Sequence, residues 1–151
     1  MRAIVQRVSA ATVQVDGREV GRCGRGLMLL VGVHKNDTSA EAKKLAAKVA
    51  VLRIFNDPEG KMNLSLNDLR SDDYDVLAVS NFTVYGDAKK QNRPSFMSSA
   101  GFDLGKELFD EFVFELRNLG IPTQTGIFGA DMQVSLINDG PVTVILDVDA
   151  A

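Results

Sequence analysis

Met132-Gln133-Val134-Ser135-Leu136-Ile137-Asn138-Asp139-Gly140-Pro141-Val142-Thr143-Val144-Ile145-Leu146 holds two apolar runs separated by Asn138 to Pro141. How this stretch is read decides the fold. Each run mixes β-branched and aliphatic residues with polar ones, as strands do. Asn, Asp and Gly supply turn chemistry, while Pro fixes its own φ and lacks an N–H donor. The ordinary reading is a hairpin closed by Asn138-Asp139-Gly140-Pro141. A second reading attaches to the Gly-Pro pair. Glycine has no side chain to cover the backbone, so the pair can press bare carbonyls against a ligand. On the residues of this stretch both readings stand.

Upstream, the first third of the chain is strand-rich. Ala3 to Val8 and Thr12 to Val15 read as strands, and Asp16-Gly17 is a hairpin signal before Arg18 to Arg22. Gly21 to Gly26 is glycine-rich but opens no helix, so it reads as a turn or bulge between strands. Leu27 to Val33 reads as a strand buried on both faces. His34 to Asp37 is a polar loop. Thr38 and Glu41 fit a capping box, and Ala42, Leu45, Ala46, Val49 and Leu52 then recur at helical spacing. Asn56 to Gly60 is a turn, and Met62 to Leu66 is ambiguous. Asp75 to Ser80 is a strand, and Tyr85 to Ser99 is a polar loop with Lys89, Lys90 and Arg93. A second helix is predicted over roughly Asp103 to Leu119, with Leu104, Leu108, Phe112, Leu116 and Leu119 as its buried stripe. Gly120 and Pro122 end it. The expected class is α+β (mixed): a largely antiparallel, barrel-like sheet system with two main helices on one side, residues 1–151 forming one domain.

Composition narrows the function. The chain has 151 residues, is 45% hydrophobic and carries a formal net charge of -3. That length buries a real core, and that charge gives no broad basic face for gripping nucleic acid by its phosphates. Neither a DNA nor a membrane partner is expected. Leu27 to Val33 is far shorter than the roughly 20 residues that span a bilayer. Arg2 and Arg7 fall where a signal peptide is apolar, and the single cysteine, Cys23, suits a reducing compartment, so the expected location is cytoplasmic. With His34 and Cys23 the only residues of their types, no ordinary zinc site is expected and no cofactor is called for.

Conventional hydrolytic machinery is hard to find. A Ser-His-Asp arrangement needs a histidine base, and His34 is the one candidate. A lone histidine in a polar loop is ordinarily a solvated side chain. There is no P-loop, dinucleotide fingerprint or His-Glu-x-x-His. Ser80 and Thr83 lie just past a strand end, where binding groups are usual. Phe82 between them is either core or a face on which a base stacks, and Asn81 can read a base edge. Neither hydroxyl has an evident activating base, with Asp87 the nearest acid in sequence.

Taken together these segments resemble the D-aminoacyl-tRNA deacylase family over essentially the whole chain. The resemblance is carried by Met1 to Val8, Arg53-Ile54-Phe55, Gly60 to Asn63, Ser80-Asn81-Phe82-Thr83-Val84, Arg93-Pro94-Ser95-Phe96, Thr125 to Val134 and Asn138 to Thr143. The second reading of the opening stretch follows from it. The resemblance implies hydrolysis of the ester joining a D-amino acid to the terminal adenosine of tRNA, with glycyl-tRNA also accepted. It implies a homodimer with sites at the subunit interface. It implies that Gly140-Pro141 is cis and enters the partner's site as a gate, its carbonyls excluding an L side chain. Arg7 is expected to hold that loop. Phe82, with Ser80, Asn81 and Thr83, would form the adenosine pocket, and Phe128 and Met132 its walls. Thr83 and Ser80 are the candidates for a catalytic role. The terminal 2′-hydroxyl of the tRNA would assist the attacking water, leaving Thr83 to bind or orient. Asn81 departs from the glutamine usual there. Lys89, Lys90 and Arg93 fit local phosphate contacts, though exposed lysine is also ordinary.

Overall fold

A computed structural model of the chain describes residues 1–70 and 73–150. Ser71, Asp72 and Ala151, within the expected domain span, lie outside the described residues. The strands are β1 (Arg2–Val15), β2 (Arg18–Cys23), β3 (Gly26–Gly32), β4 (Phe55–Asn56), β5 (Met62–Leu64), β6 (Asp75–Ser80), β7 (Thr123–Thr125) and β8 (Gln133–Asp147). The helices are α1 (Ser39–Val51) and α2 (Phe102–Asn118). The main sheet runs β2-β1-β3-β6-β7, with β8 paired to β1. Pairings made by β1 are antiparallel, whereas β3–β6 and β6–β7 are parallel. The sheet curls until β2 meets β7, where the Arg22 N–H donates to Gln124 Oε1 at 2.9 Å. Gly21 makes that closure possible, because a Cβ there would lie 2.3 Å from the Thr125 carbonyl oxygen. The result is a nearly closed mixed barrel, as the α+β reading expects.

Both helices pack on one face. Leu27, Leu29, Val31, Val76 and Ala78 point toward them, while Met28, Leu77 and Val79 point the other way into the barrel. This alternation is the period of a strand covered on both sides. α1 begins with the expected capping box: Thr38 Oγ1 accepts from the Ala40 N–H, and Glu41 Oε2 accepts from the Thr38 N–H. Ala42, Leu45, Ala46 and Val49 are buried as predicted, while Leu52 falls at the cap rather than in the stripe. α2 buries Leu108, Phe109, Phe112, Val113 and Leu116. It ends where Gly120, at φ +83°, donates to the Arg117 carbonyl and Ile121 donates to that of Leu116. Each such large apolar side chain contributes about 1.5–3 kcal/mol on burial.

The opening stretch does not form a hairpin. Gln133–Ile137 and Val142–Leu146 belong to one strand, β8, of 15 residues, lying antiparallel to β1 from end to end, with Met132 just before it. Likewise Ala3–Val8 and Thr12–Val15 are one strand. Gln6 pairs with Thr143 and Val8 with Asn138, so Arg7 alone faces Asp139 to Val142, which bulge outward. The side chain of Asn138 holds the base of this bulge by donating to the carbonyls of Arg7 and Val142 at 3.0 and 2.9 Å. The turn residues thus interrupt a strand instead of reversing it. Their partner is β1, far away in sequence, and local turn chemistry carries no record of that.

Candidate active site

A cleft of about 610 Å³ opens between the ends of β3 and β6, the start of α2 and the segment Phe128 to Val134. Its wall includes Ser80, Asn81, Phe82, Thr83, Phe128 and Met132, so the structure gathers these predicted residues at one place. Leu30, Val31, Val79 and Val134 make its apolar floor. Among the described residues, Asp131 is the only ionisable side chain in the wall. It lies inside a segment quoted for the resemblance, yet nothing local in the sequence marked it, since an isolated Asp beside a turn is ordinary.

Beyond β6 the chain turns through a single 3₁₀ turn, Phe82–Tyr85, capped by Asn81. Asn81 Oδ1 accepts from the Thr83 N–H at 3.1 Å and also from the Thr83 hydroxyl. The Asn81 N–H donates to the Val31 carbonyl at 2.8 Å, tying the turn to β3. This is ordinary Asx capping, for which asparagine is well suited. Phe82 is thereby pushed outward and is 58% exposed, which rules out the core reading. Its ring stands edge-on to Phe96 at 5.2 Å, and its carbonyl accepts from the Ser99 hydroxyl at 2.9 Å.

Glycines admit the opposite wall. Phe128 packs edge-on to Phe102 at 5.1 Å and tilted to Phe109 at 6.1 Å. A Cβ on Gly129, whose φ is +78°, would lie 2.7 Å from the Phe102 ring. One on Gly126 would lie 2.5 Å from Met132 Sδ. Close approach favours glycine at both positions, and at Gly129 the conformation does too.

His34 and Asp87 stay away from the cleft. His34 Nδ1 accepts from the Asn36 N–H at 3.1 Å, and its ring lies edge-on to Tyr85. Asp87 Oδ1 accepts from the Lys89 N–H at 2.9 Å, turning into its own loop. Neither residue belongs to the cleft wall. Burial and the nearby Asp37 carboxylate hold the Tyr85 phenol above its ordinary pKa, so it stays a neutral phenol. Among the described residues no group of three or more His, Cys, Asp or Glu is placed to hold a metal ion. Among the described residues no helix is long and apolar enough to cross a membrane.

Gly140, Pro141 and Arg7 lie outside this cleft's wall. The Gly140-Pro141 bond is cis, and Gly140 has φ +126°. Arg7, 8% exposed, reaches across beneath the bulge. Its Nε donates to the Asp139 carbonyl at 3.2 Å, and its Nη1 donates to the Ile54 carbonyl at 2.9 Å and to Asn56 Oδ1 at 3.3 Å. The Asp139 carboxylate completes an ion pair at 3.4 Å. Within one chain, then, the candidate residues form two groups, one in the cleft and one on the bulge.

Known proteins give this arrangement its chemistry. Residues 4–147 match the model of a family described as D-Tyr-tRNA(Tyr) deacylase. The D-aminoacyl-tRNA deacylase of Geobacter sulfurreducens is 55% identical over 97% of this chain and 95% of its own length. That of Thermosipho africanus is 51% identical over 97% of each. Among solved structures, one described as c-Myc DNA Unwinding Element Binding Protein superposes with a TM-score of 0.90 at 35% identity, covering 99% of this chain and 100% of its own. A probable eukaryotic D-amino acid tRNA deacylase shares the fold with a TM-score of 0.83 at 20% identity, covering 97% of this chain and 98% of its own. The chain is therefore a hydrolase acting on ester bonds. The chain belongs to the D-Tyr-tRNA(Tyr) deacylase family, and its activity is that of a D-aminoacyl-tRNA deacylase, a proofreading step of translation.

Proposed function

We propose that the cleft takes the terminal adenosine of D-aminoacyl-tRNA, with Phe82 as the stacking face, Ser80, Asn81 and Thr83 around the ester, and Phe128 and Met132 as walls. Exposed aromatic rings stack bases without demanding a particular sequence. Rejection of L-aminoacyl-tRNA falls to Gly140 and Pro141 of a second subunit in a homodimer, supported from below by Arg7. A bare-backbone gate excludes every L side chain alike, whatever its chemistry, and admits a D-amino acid or glycine. Glycyl-tRNA formed by mischarging of tRNA(Ala) is therefore a substrate too. The neighbour described as a DNA unwinding element binding protein suggests DNA for itself. The net charge of -3 gives this chain no basic face for a duplex. Cytoplasmic action fits the reading that places the enzyme with charged tRNA.

Two features favour a dimer. Among the described residues β8 pairs only with β1, which leaves its other edge open, and Ile137 and Ile145 on this strand are 63% and 62% exposed. An open apolar edge strand is a template for pairing with another chain. Moreover, the bulge lies outside the cleft of its own chain, so a gate made from it has to come from another copy.

The observation that carries the chemical part is the hydrogen bond from the Thr83 hydroxyl to Asn81 Oδ1. A neutral amide oxygen does not take up a proton, so it cannot generate an alkoxide nucleophile. With no base in the cleft but Asp131, we assign activation of the attacking water to the 2′-hydroxyl of the substrate's terminal ribose. Ser80 and Thr83 orient the ester. The competing reading is a general esterase using Thr83 or Ser80 as nucleophile.

The direct test is release of free amino acid from D- and L-tyrosyl-tRNA. The expected outcome is turnover of the D-ester alone, lost when the terminal 2′-hydroxyl is replaced by hydrogen. Equal rates on both esters, or undiminished rates on the 2′-deoxy substrate, would overturn this reading.

A further inference from the structure

Beside the cleft, the segment Phe96 to Ala100 runs along the rim that Phe82 and Ala100 share. It is tethered on all sides. Asp87 and Ser95 exchange backbone hydrogen bonds at 2.8 Å each, the Ala100 N–H donates to the Val33 carbonyl at 2.9 Å, and the Ser99 N–H donates to the Phe96 carbonyl at 3.0 Å. Gly86 lets Phe96 seat, since a Cβ there would lie 2.9 Å from its ring. Met97 caps the resulting turn and is 80% exposed, the most exposed of the large apolar side chains. With Phe82 and Phe96, whose rings touch and are also exposed, Met97 makes an apolar patch beside the cleft, and such a patch marks an interaction surface.

We propose that Phe96 and Met97 form a second nucleotide subsite, which holds the base of the penultimate nucleotide of the tRNA. This rests on the adenosine-binding reading of the cleft. The Phe82 and Phe96 rings stand at 78° to one another, so they offer two faces that are not parallel. A base on Phe82 and its neighbour against Phe96 and Met97 are therefore unstacked from each other, which splays the single-stranded end as protein recognition of RNA commonly does. Methionine suits the second face because its polarisable thioether packs on rings without fixed geometry. Charge agrees. The loop closed by Asp87 and Ser95 carries Lys89, Lys90 and Arg93, all exposed, and none of them is ion-paired among the described residues. They supply cations where the phosphates of such a strand pass.

The test compares D-tyrosyl-tRNA with 2′(3′)-O-D-tyrosyl-adenosine, which has no penultimate nucleotide, using Met97→Ala and Met97→Gln. Both substitutions are at a side chain in solvent and leave the fold intact. The expected result is a KM for the tRNA ester raised at least about fivefold, and a KM for the adenosine ester changed by less than about twofold. An equal rise on both substrates, no rise on tRNA, or a shift in oligomeric state would overturn the subsite. If the unaltered enzyme cleaves neither ester, the deacylase reading of the cleft fails before any variant is compared.

Discussion

The hydroxyl of Thr83 donates to Oδ1 of Asn81, the same oxygen that accepts from the Thr83 backbone N–H at 3.1 Å. One amide oxygen thus both caps the turn and fixes the hydroxyl, leaving the lone pairs of Thr83 Oγ1 as its remaining polar capacity. A residue placed this way orients a substrate but lacks the means to attack it. Thr83→Ala should retain turnover of D-tyrosyl-tRNA, reduced by no more than about a hundredfold, the scale of a lost positioning contact. Complete loss of single-turnover hydrolysis in a folded Thr83→Ala protein would instead support a Thr83 nucleophile.

Asn81 carries a second expectation, because its side-chain oxygen caps the 3₁₀ turn. Asn81→Ala removes the cap and should cost about 1 kcal/mol. Asn81→Asp keeps the accepting oxygen and should stay within a few tenths of the parent in denaturant unfolding. If Ala and Asp behave alike there, the cap is not what holds this turn.

Gly140 has φ +126°, and a Cβ on it would lie 2.7 Å from Val142 Cγ2 and 2.9 Å from the Val142 nitrogen. Gly140→Ala is therefore both strained and crowded, with an expected cost of about 1–3 kcal/mol. On the proposed gate, discrimination between D- and L-tyrosyl-tRNA should fall together with stability. A variant that unfolds more easily yet discriminates as before would separate the bulge from chirality.

Arg7 links the bulge to Ile54 and Asn56 through a planar, buried guanidinium. Lysine cannot reproduce that fork. Arg7→Lys should lose about 2 kcal/mol of stability, each broken charge-assisted bond being worth about 1.5–3 kcal/mol. Thermal unfolding measures this, and an unchanged midpoint would show that the fork is not needed.

Burial pushes the Cys23 thiol up to about 12 and raises the Tyr85 phenol as well. Both groups hold their protons more tightly when folded than when unfolded. Their contribution to stability is therefore full below the unfolded thiol pKa, near 9.0, and drains away as pH rises toward 12. Alkaline unfolding should show this decline, and it should be shallower in Cys23→Ala. An identical slope in both proteins would show that the thiol does not titrate on unfolding.

Local signals in the sequence were legible. The capping box at Thr38 and Glu41 and the Gly120 stop depend on residues a few positions apart and form as read, whereas of the expected α2 stripe Leu108, Phe112 and Leu116 are buried and Leu104 and the cap residue Leu119 are half-buried. The strand after Arg25 and the functional character of Ser80 to Thr83 were legible for the same reason. The glycines at 21, 126 and 129 were silent, because what they make room for comes from other segments of the chain. The hairpin expectation failed on the same ground.

By itself the sequence determined both helices, most of the longer strand segments and the family to which the motifs belong, while the short strands β4, β5 and β7 went unread. Tertiary structure alone decided that Asn138 to Pro141 interrupts a strand. That outcome depends on pairing with β1 and on Arg7 reaching beneath the bulge, across 132 positions of chain. Such contacts form only when a compact core brings distant backbone together, so no window of neighbouring residues can encode them.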